Sequence, residues 1–277
     1  MNWLLIDEKI KDWLSEDINH GDITTDSLID EDAVAIGRFI AKADGTIAGI
    51  DIAQRVFTLL DDRIIFDAHV SDGKRVTKGE NIATISGKTR RILYGERLAL
   101  NILQRLSGVA TETAKFVDCL VGTQVRLVET RKTTPGMRMI EKYAVKVGGG
   151  FNHRFDLSEA VLIKDNHIAA SGSIEAAVTR ARAKIPHTMK IEIEVENLKQ
   201  LKEAIDVGAD IIMLDNMSVP MMREAVLLND KRAILEASGN VTIANVREIA
   251  DTGVEIISVG SITHSVKALD ISFRLSI

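Results

Sequence analysis

Polar and glycine residues follow six short apolar runs in the second half of the chain, and their types suit chemistry on an anionic ligand. If these runs are parallel strands that close into a barrel, their carboxyl ends converge on one face, where barrel enzymes keep their active sites. Six converging polar ends favour an active site over simple hydration of strand ends. The residues concerned are Thr130, Arg131, Lys132, Lys164, Asp165, Asn166, Glu196, Asp215, Asn216, Ser238, Gly239, Asn240, Gly260 and Ser261.

Three glutamates, Glu192, Glu194 and Glu196, alternate with apolar residues in the run 190–196. Because side chains alternate along a strand, the three acids share one face and the apolar residues share the other. In a parallel barrel the apolar face meets the helices, so we expect the acids to line the interior. Confined carboxylates then need cations to offset their repulsion and desolvation. The alternative is an exposed edge strand with its acidic face in water.

Basic residues cluster near the same strand ends, although the protein as a whole is acidic. Arg131 and Lys132 follow one apolar run, His153 and Arg154 follow a glycine run, and Lys164 ends the next apolar run. Arginine presents a planar fork that matches carboxylate and phosphate groups. The cluster therefore predicts an anionic substrate, whereas any one of these arginines taken alone is equally typical of a surface ion pair.

The histidines do not predict a transition-metal site. His153, His167 and His264 lack the spacing of known histidine metal motifs. Glu194 and Asp215 offer the oxygen ligands that Mg²⁺ prefers, often through water. We therefore expect any metal to be Mg²⁺ near these two carboxylates.

Two glycine-containing loops follow the last two apolar runs. Ser238, Gly239 and Asn240 precede a helical pattern that starts near Ile243, and Gly260 with the following serine comes after the final run. Glycine lets backbone N–H groups approach an anion, and a helix N-terminus adds a favourable dipole. Loops in these positions form the usual phosphate site of barrels. Ordinary turn and cap chemistry is the alternative interpretation.

The elements that must position these residues follow from the pattern of apolar residues. From residue 125 onward, strand-like runs alternate with helical patterns, which indicates a parallel sheet of about six strands. Such a series suits a barrel better than the alternative, a doubly wound open sheet. The first third mixes a helical pattern at 51–60 with strand-like runs at 36–41 and 64–70, which is typical of an α+β domain. Residues 91–120 predict one or two long helices that join the halves.

Composition excludes several classes of protein. The 277 residues carry a formal net charge of −5, with 4% aromatic residues and a single cysteine, Cys119. These values argue against a disulfide scaffold, a cysteine zinc site, and a general attraction to nucleic acid or anionic membranes. No apolar stretch approaches the roughly 20 residues that span a bilayer. The first ten residues lack a basic signal region. These features predict a cytoplasmic protein.

The stretch ETRKTTPGMRMIEKYAVKVGGGFNHRFDLSEAVLIKDNH, residues 129–167, closely resembles the signature of the quinolinate phosphoribosyltransferases, also called carboxylating nicotinate-nucleotide pyrophosphorylases. The likeness extends over nearly the whole chain. Further segments that resemble the family are EDINHGDITTD, GTIAGIDIAQRVFTLLD, ERLALNILQRLSGVAT, IEIEVENLKQL, IIMLDNMS, LEASGNVT and ISVGSITHSVKALDISF.

This resemblance implies an α/β fold with two domains. An N-terminal α/β sandwich domain is expected over 1–105, and an incomplete TIM-like α/β barrel with fewer than eight strands over 106–265. A tail at about 266–277 is expected to pack on the first domain. The implied reaction joins quinolinate to phosphoribosyl pyrophosphate with Mg²⁺ and yields nicotinate mononucleotide, pyrophosphate and CO₂, in the de novo synthesis of NAD.

The resemblance also assigns roles to residues of this sequence. Substrate-binding roles fall on Arg97, Thr130, Arg131, His153 and Arg154, and Arg97 is expected to enter the neighbouring site of a homodimer or a dimer-based hexamer. Catalytic roles fall on Lys132, Lys164, Glu194 and Asp215, and the two acids are also the expected Mg²⁺ ligands, directly or through water. Phosphate-binding roles fall on Ser238, Gly239, Asn240, Val259, Gly260 and Ser261. This chain has Asn240 at a position where many members of the family have glycine.

Three other functions remain open from the sequence. A paralogue found with molybdate-transport genes shares the fold, but its pattern departs around Lys164, which this chain keeps. A Schiff-base aldolase would also use a lysine at the end of a barrel strand, as Lys164 is. A non-enzymatic phosphosugar-binding module would be expected to lose its strand-end acids, and both Glu194 and Asp215 are present.

Overall fold

The computed structural model of the protein describes residues 1–276, and the chain divides into two compact units. Unit 1 comprises residues 1–112, 139–149 and the described residues from 266 onward, and unit 2 comprises residues 113–138 and 150–265. The predicted domains, 1–105 and 106–265, are each one continuous stretch of sequence, whereas each compact unit combines separate stretches. The predicted domain limits stay a prediction. None of the helices formed by residues 1–276 combines the length and the apolar character that crossing a membrane requires.

Unit 1 is built on a four-stranded antiparallel sheet in the order β12, β1, β5, β3. Its elements are α1 (Trp3–Ile18), α2 (Ile23–Leu28), β1 (Val34–Ala41), β2 (Gly45–Thr46), α3 (Ile50–Leu60), β3 (Ile65–Ala68), β4 (Arg75–Val76), β5 (Asn81–Lys88), most of α4 (Thr89–Cys119) and of α5 (Arg138–Val147), and β12 (Ile271–Ser276). The predicted strands and the predicted helix of the first third are confirmed, and residues 91–119 lie within one continuous helix, which ends one residue before the predicted limit.

Alternation along β1 builds the core of unit 1. Every second residue of β1 is buried, and the Phe39 ring packs against Phe57 and Phe273, with centroid distances of 6.1 and 4.9 Å. Gly37 leaves room for the Phe273 ring of β12, because a Cβ on Gly37 would lie 2.1 Å from that ring. The last described strand therefore completes the sheet that β1 begins.

Unit 2 is a six-stranded parallel sheet in the order β6, β11, β10, β9, β8, β7. Its strands are β6 (Arg126–Val128), β7 (Val161–Ile163), β8 (Ile191–Val195), β9 (Ile211–Asp215), β10 (Ile234–Ser238) and β11 (Ile256–Ser258), and its helices are α6 (Asp165–Ser171), α7 (Ile174–Arg182), α8 (Leu198–Asp206), α9 (Val219–Asn229), α10 (Val246–Ala250) and α11 (Ser261–His264). The predicted α/β fold class, with fewer than eight parallel strands, is confirmed.

Strand β8 lies between β7 and β9, so the edge-strand alternative for the glutamate run is wrong. Glu192 is buried and Glu194 is half-buried. The prediction was wrong for Glu196, which lies after β8 ends and is exposed. A second correction concerns the pattern near Ile243, where α10 begins only at Val246 because Asn245 turns the chain there and accepts a hydrogen bond from the Thr242 N–H.

Candidate active site

A cavity of about 740 Å³ opens at the carboxyl ends of the strands of unit 2. Every residue to which the family resemblance assigns a role, except Arg97, lines it, which is the convergence expected of strand ends in a parallel barrel. Of the other strand-end residues, Asn216 lines it, and Asp165, Asn166 and Glu196 do not. The lining residues are Thr130, Arg131, Lys132, His153, Arg154, Leu162, Lys164, Glu194, Met213, Asp215, Asn216, Ser238, Gly239, Asn240, Val241, Ser258, Val259, Gly260, Ser261 and His264. The structure therefore brings the predicted cations, acids and glycine loops into one space.

Arg97 is an exposed residue of α4 and belongs to unit 1. Its predicted role in the site of a neighbouring subunit stays a prediction.

Hydrogen bonds from Arg138 and Thr263, which do not line the cavity, hold the loops that form its cationic side. Arg138 donates from Nε to the Thr133 hydroxyl at 3.0 Å and from Nη2 to the Arg131 carbonyl at 3.4 Å. The Thr263 hydroxyl donates to the Lys132 carbonyl at 2.8 Å. Burial, together with the charge of Arg131, lowers the pKa of the Arg154 guanidinium. Concentrated, partly desolvated positive charge is what a polyanionic ligand requires.

Lys164 and Glu194 form an ion pair on neighbouring strand ends. The Lys164 backbone N–H donates to Nδ1 of His167 at 2.9 Å, which fixes the start of α6. The contact with the Glu194 carboxylate orients the Lys164 amino group as a hydrogen-bond donor. A Schiff-base lysine must instead act as a free amine.

The acidic side of the cavity comprises Glu194 and Asp215, and the Asn216 amide donates to Asp215 Oδ2 at 2.9 Å. Within residues 1–276, three side chains close enough to share a metal ion are His153, Glu192 and Glu236. The predicted pair of Mg²⁺ ligands, Glu194 and Asp215, stays a prediction. Two carboxylates lining one open cavity do suit Mg²⁺, which usually keeps waters and takes further oxygens from a substrate. The donor chemistry of Glu194 and Asp215 therefore fits the predicted ion.

A buried acidic cluster lies behind His153. His153 Nε2 lies 3.3 Å from Glu192 Oε2 and 3.6 Å from Glu236 Oε1, and both carboxylates are almost fully buried. The pKa of the Glu236 carboxyl is raised to about 7: burial raises it most, the charge of Glu192 also raises it, and His153 lowers it. The sequence predicted an acidic interior from the run at β8, but it did not single out Glu236.

The raised pKa of Glu236 makes stability depend on pH. Between the ordinary value of 4.5 and about 7, the folded state binds more protons than the unfolded state, so stability falls as pH rises through this window. We expect wild type to lose at most about 3 kcal/mol there relative to Glu236→Gln, which carries no ionisable proton. Urea unfolding at several pH values measures the difference.

The exposed Glu248 provides the control for this prediction, because Glu248→Gln removes a carboxylate outside the cluster. Parallel pH curves for wild type and Glu236→Gln would contradict the assignment.

Residues in and beside the predicted phosphate loop at 238–240 have left-handed backbone conformations, which glycine and asparagine adopt most readily. Gly239, Asn240 and Asn216 have φ of +88°, +52° and +55°. Asn240 donates from Nδ2 to Asn216 Oδ1 at 3.0 Å, and a Cβ on Gly239 would lie 2.1 Å from the same oxygen. Asparagine tolerates the left-handed region, so the departure of this chain from glycine at 240 keeps the loop shape.

Gly239→Ala is therefore expected to displace the Asn216 amide and to lower kcat/KM by about tenfold or more, mainly through the phosphate-bearing substrate. Gly208→Ala is the matched control, since Gly208 has φ +75° and open space around it. Steady-state kinetics of the two variants separates backbone strain, which they share, from displacement of Asn216. Equal activity of both variants would count against the role of Gly239.

Sequence reasoning missed several lining residues, and strand alternation could have found some of them. Leu162, Met213 and Ser258 each stand two residues before a predicted site residue, so they share its face of the strand. Asn216 was noted at a strand end without a role. Val241 and His264 have no comparable local signal.

The parallel unit 2, with cations, acids and glycine loops around one cavity at its strand ends, has the fold and site of an α/β barrel enzyme that handles anionic substrates. Comparison with known families defines it further. The C-terminal domain model of quinolinate phosphoribosyl transferase matches residues 109–274, and the N-terminal domain model matches residues 22–107. The chain belongs to the quinolinate phosphoribosyltransferase family, and the resemblance inferred from its motifs is confirmed.

Individual relatives are similar over their full length. A probable carboxylating nicotinate-nucleotide pyrophosphorylase of Bacillus subtilis strain 168 is 44% identical over 277 residues, which cover 100% of this chain and 96% of that protein. The crystal structure of NadC from Streptococcus pyogenes has a TM-score of 0.96 at 43% identity and covers 100% of this chain and 98% of its own. The Francisella tularensis nicotinate-nucleotide pyrophosphorylase structure has a TM-score of 0.93 at 41% identity, with 98% and 96% covered.

Proposed function

We propose that this protein transfers the phosphoribosyl group of phosphoribosyl pyrophosphate to quinolinate, with loss of CO₂, to give nicotinate mononucleotide in NAD synthesis. The observation that carries the proposal is the single cavity in which cationic, acidic and glycine-loop residues converge. The full-length relatives named as carboxylating nicotinate-nucleotide pyrophosphorylases support it.

Quinolinate carries two adjacent carboxylates, which the basic side of the cavity can neutralise. Arg131 and Arg154 supply guanidinium forks, and Thr130 and His153 lie beside them. Fixed cations that hold a planar ring by its carboxylates also set the direction of the ring nitrogen. Positioning of this kind turns the meeting of two substrates into a step within one complex.

The phosphoribosyl substrate occupies the opposite part of the cavity. Gly239, Asn240 and Gly260 line the cavity with Ser238, Val259 and Ser261, and the backbone N–H groups of such glycine loops would bind the 5′-phosphate. Glu194 and Asp215 would hold Mg²⁺, which neutralises charge on the departing pyrophosphate when it is bound. Lys132 and Lys164 add positive charge near the same oxygens.

In the proposed reaction, the bond from the anomeric carbon to pyrophosphate is replaced by a bond from the same carbon to the pyridine nitrogen. The carbon–oxygen bond to pyrophosphate breaks with its electron pair on oxygen, and Glu194 or Asp215 stabilises the positive charge that develops on the ribose. The pyridine nitrogen then donates its electron pair to that carbon. The resulting cationic ring accepts the electrons released when the adjacent carboxylate leaves as CO₂, and a proton replaces it.

A coupled assay tests the proposal with purified protein, quinolinate, phosphoribosyl pyrophosphate and Mg²⁺. We expect Mg²⁺-dependent loss of quinolinate with matching release of nicotinate mononucleotide and CO₂. No turnover by folded, assembled protein would overturn it and would direct attention to other ring acceptors, as the transport-linked paralogue would require. The ion pair of Lys164 argues against the aldolase alternative, and trapping of a carbonyl substrate on Lys164 by borohydride would reverse that conclusion.

We also propose that the protein works in the cytoplasm as a homodimer or a dimer-based hexamer, with Arg97 completing the site of the neighbouring subunit. The exposure of Arg97 on α4 is consistent with this role. Sedimentation measurements give the assembly directly, and a monomer with full activity would contradict a shared site.

A further inference from the structure

The segment from Asn152 to Arg154 has no regular secondary structure, yet it carries two cavity residues. Its backbone is anchored by a buried acid, because Glu129 accepts from the His153 N–H at 3.1 Å and from Asn152 Nδ2 at 3.0 Å. A loop can present charged groups reproducibly only when such partners fix it. The remaining question is what fixes the His153 ring.

Both ring nitrogens of His153 face protein groups. Nδ1 accepts a hydrogen bond from the Arg154 backbone N–H at 2.8 Å, so Nδ1 carries no proton and Nε2 carries it. Nε2 points at Glu192, 3.3 Å away, and at Glu236, 3.6 Å away. Glu192 therefore accepts on the side of the ring that must donate, through Oε1 at 3.4 Å. The Glu236 carboxylate lies beside this contact but is too far away to accept a hydrogen bond from Nε2.

We infer that Glu192, with the Glu236 carboxylate beside it, is a positioning residue that holds His153 in the Nε2–H tautomer and thereby sets the direction of Arg154 toward the anionic substrate. The tautomer matters because the opposite one would place an Nδ1–H against the Arg154 N–H, and two donors in a buried contact repel. Arg154 is fixed at its other end as well, since Nη1 donates to the Ala160 carbonyl at 2.8 Å. If the hydrogen bond between the Arg154 N–H and His153 Nδ1 is lost, only the hydrogen bond to the Ala160 carbonyl still holds Arg154.

This role differs from that of the acids lining the cavity. Glu192 and Glu236 are 3% and 1% exposed and do not line the cavity, whereas His153 and Arg154 do. The acids act through the histidine and not on the reacting atoms. The inference rests on the proposed function only for the identity of the substrate that Arg154 faces.

Two double variants separate hydrogen bonding from charge. Glu192→Gln with Glu236→Gln removes both charges but keeps an acceptor oxygen at each position. Glu192→Leu with Glu236→Leu removes the same charges and the acceptors, and replacement of buried acids by apolar residues is often tolerated by a fold. Glu248→Leu, at an exposed position, is the control for loss of a carboxylate.

The first readout is the ¹⁵N spectrum of the imidazole nitrogens in the ligand-free protein, with the His153 signals assigned by their loss in His153→Gln. We expect a protonated Nε2 and an unprotonated Nδ1 in wild type and in the double Gln variant, and averaging between tautomers in the double Leu variant. A protonated Nδ1 in wild type at pH 8 overturns the inference even if the double Leu variant does not fold.

The second readout is kinetic. We expect the double Leu variant to raise KM for quinolinate by about tenfold or more, to leave KM for phosphoribosyl pyrophosphate nearly unchanged, and the double Gln variant to recover most of the loss. Equal losses in both double variants would show that charge is what matters and would overturn the inference. The spectra do not depend on turnover, so failure of the proposed reaction remains distinguishable from failure of the positioning role.

Discussion

Lys132→Ala is expected to lower kcat by about 100- to 1,000-fold, the usual cost of removing one preorganised group that stabilises transition-state charge. The backbone carbonyl of Lys132 is held by the Thr263 hydroxyl, and its side chain passes beside Gly260, where a Cβ would lie 3.2 Å from the lysine Cδ. Lys132 is thus fixed between a strand end and a predicted phosphate loop. In the proposed reaction, this arrangement would keep the Lys132 side chain beside the phosphate loop before the pyrophosphate departs.

Steady-state kinetics with both substrates checks this prediction, with Lys199→Ala as control. Lys199 is an exposed residue of α8, and its removal changes the net charge equally. A loss in Lys132→Ala that appears only in KM would show that Lys132 binds the ground state and transition state alike. Comparable losses in both variants would indicate a general effect of charge.

Mixing inactive Arg97→Ala with inactive Arg131→Ala protein is expected to restore roughly a quarter of wild-type activity. In a two-fold dimer with shared sites, half of the randomly mixed dimers are hybrids, and each hybrid has one site with both arginines intact. Each variant alone has no intact site. The prediction follows from Arg97 acting in the partner's cavity and Arg131 in its own.

The mixed samples must first be shown to exchange subunits, for example by mass measurement of differently tagged chains. If hybrids form and activity stays at the level of the separate variants, Arg97 acts in its own subunit or outside the site. A mixture of Arg154→Ala with Arg131→Ala is the matched control, because both residues line one cavity of the same unit, and hybrids of that pair keep no complete site.

Much of the site could be predicted because its signals are local. The alternation at β8 placed Glu192 and Glu194 on the interior face, and the ends of β9 and β10 placed Asp215 and Ser238 at the cavity. Alternation of apolar and polar residues along a strand can be recognised from only a few consecutive residues. The same rule failed for Glu196, since the sequence does not mark where β8 ends.

Other features depend on pairings that no local window contains. The His153 ring lies against Glu192 and near Glu236, which come 39 or more residues later in the chain. Pairing of β1 with β12 joins Ile36 to Ser276. Only a likeness to a known family suggested that the end of the chain returns to the beginning, since neither composition nor periodicity carries such information.

The pairing of β1 with β12 has a consequence for synthesis on the ribosome. Strand β1 emerges early, with β5 available on one side, but its other edge has no partner until β12 has left the exit tunnel. Unpaired edges invite association with other chains, and Val34 and Ile36 on β1 are exposed apolar residues. This edge of β1 therefore stays unpaired while residues 42–270 are synthesised, and an unpaired strand edge is open to association with other chains throughout that interval.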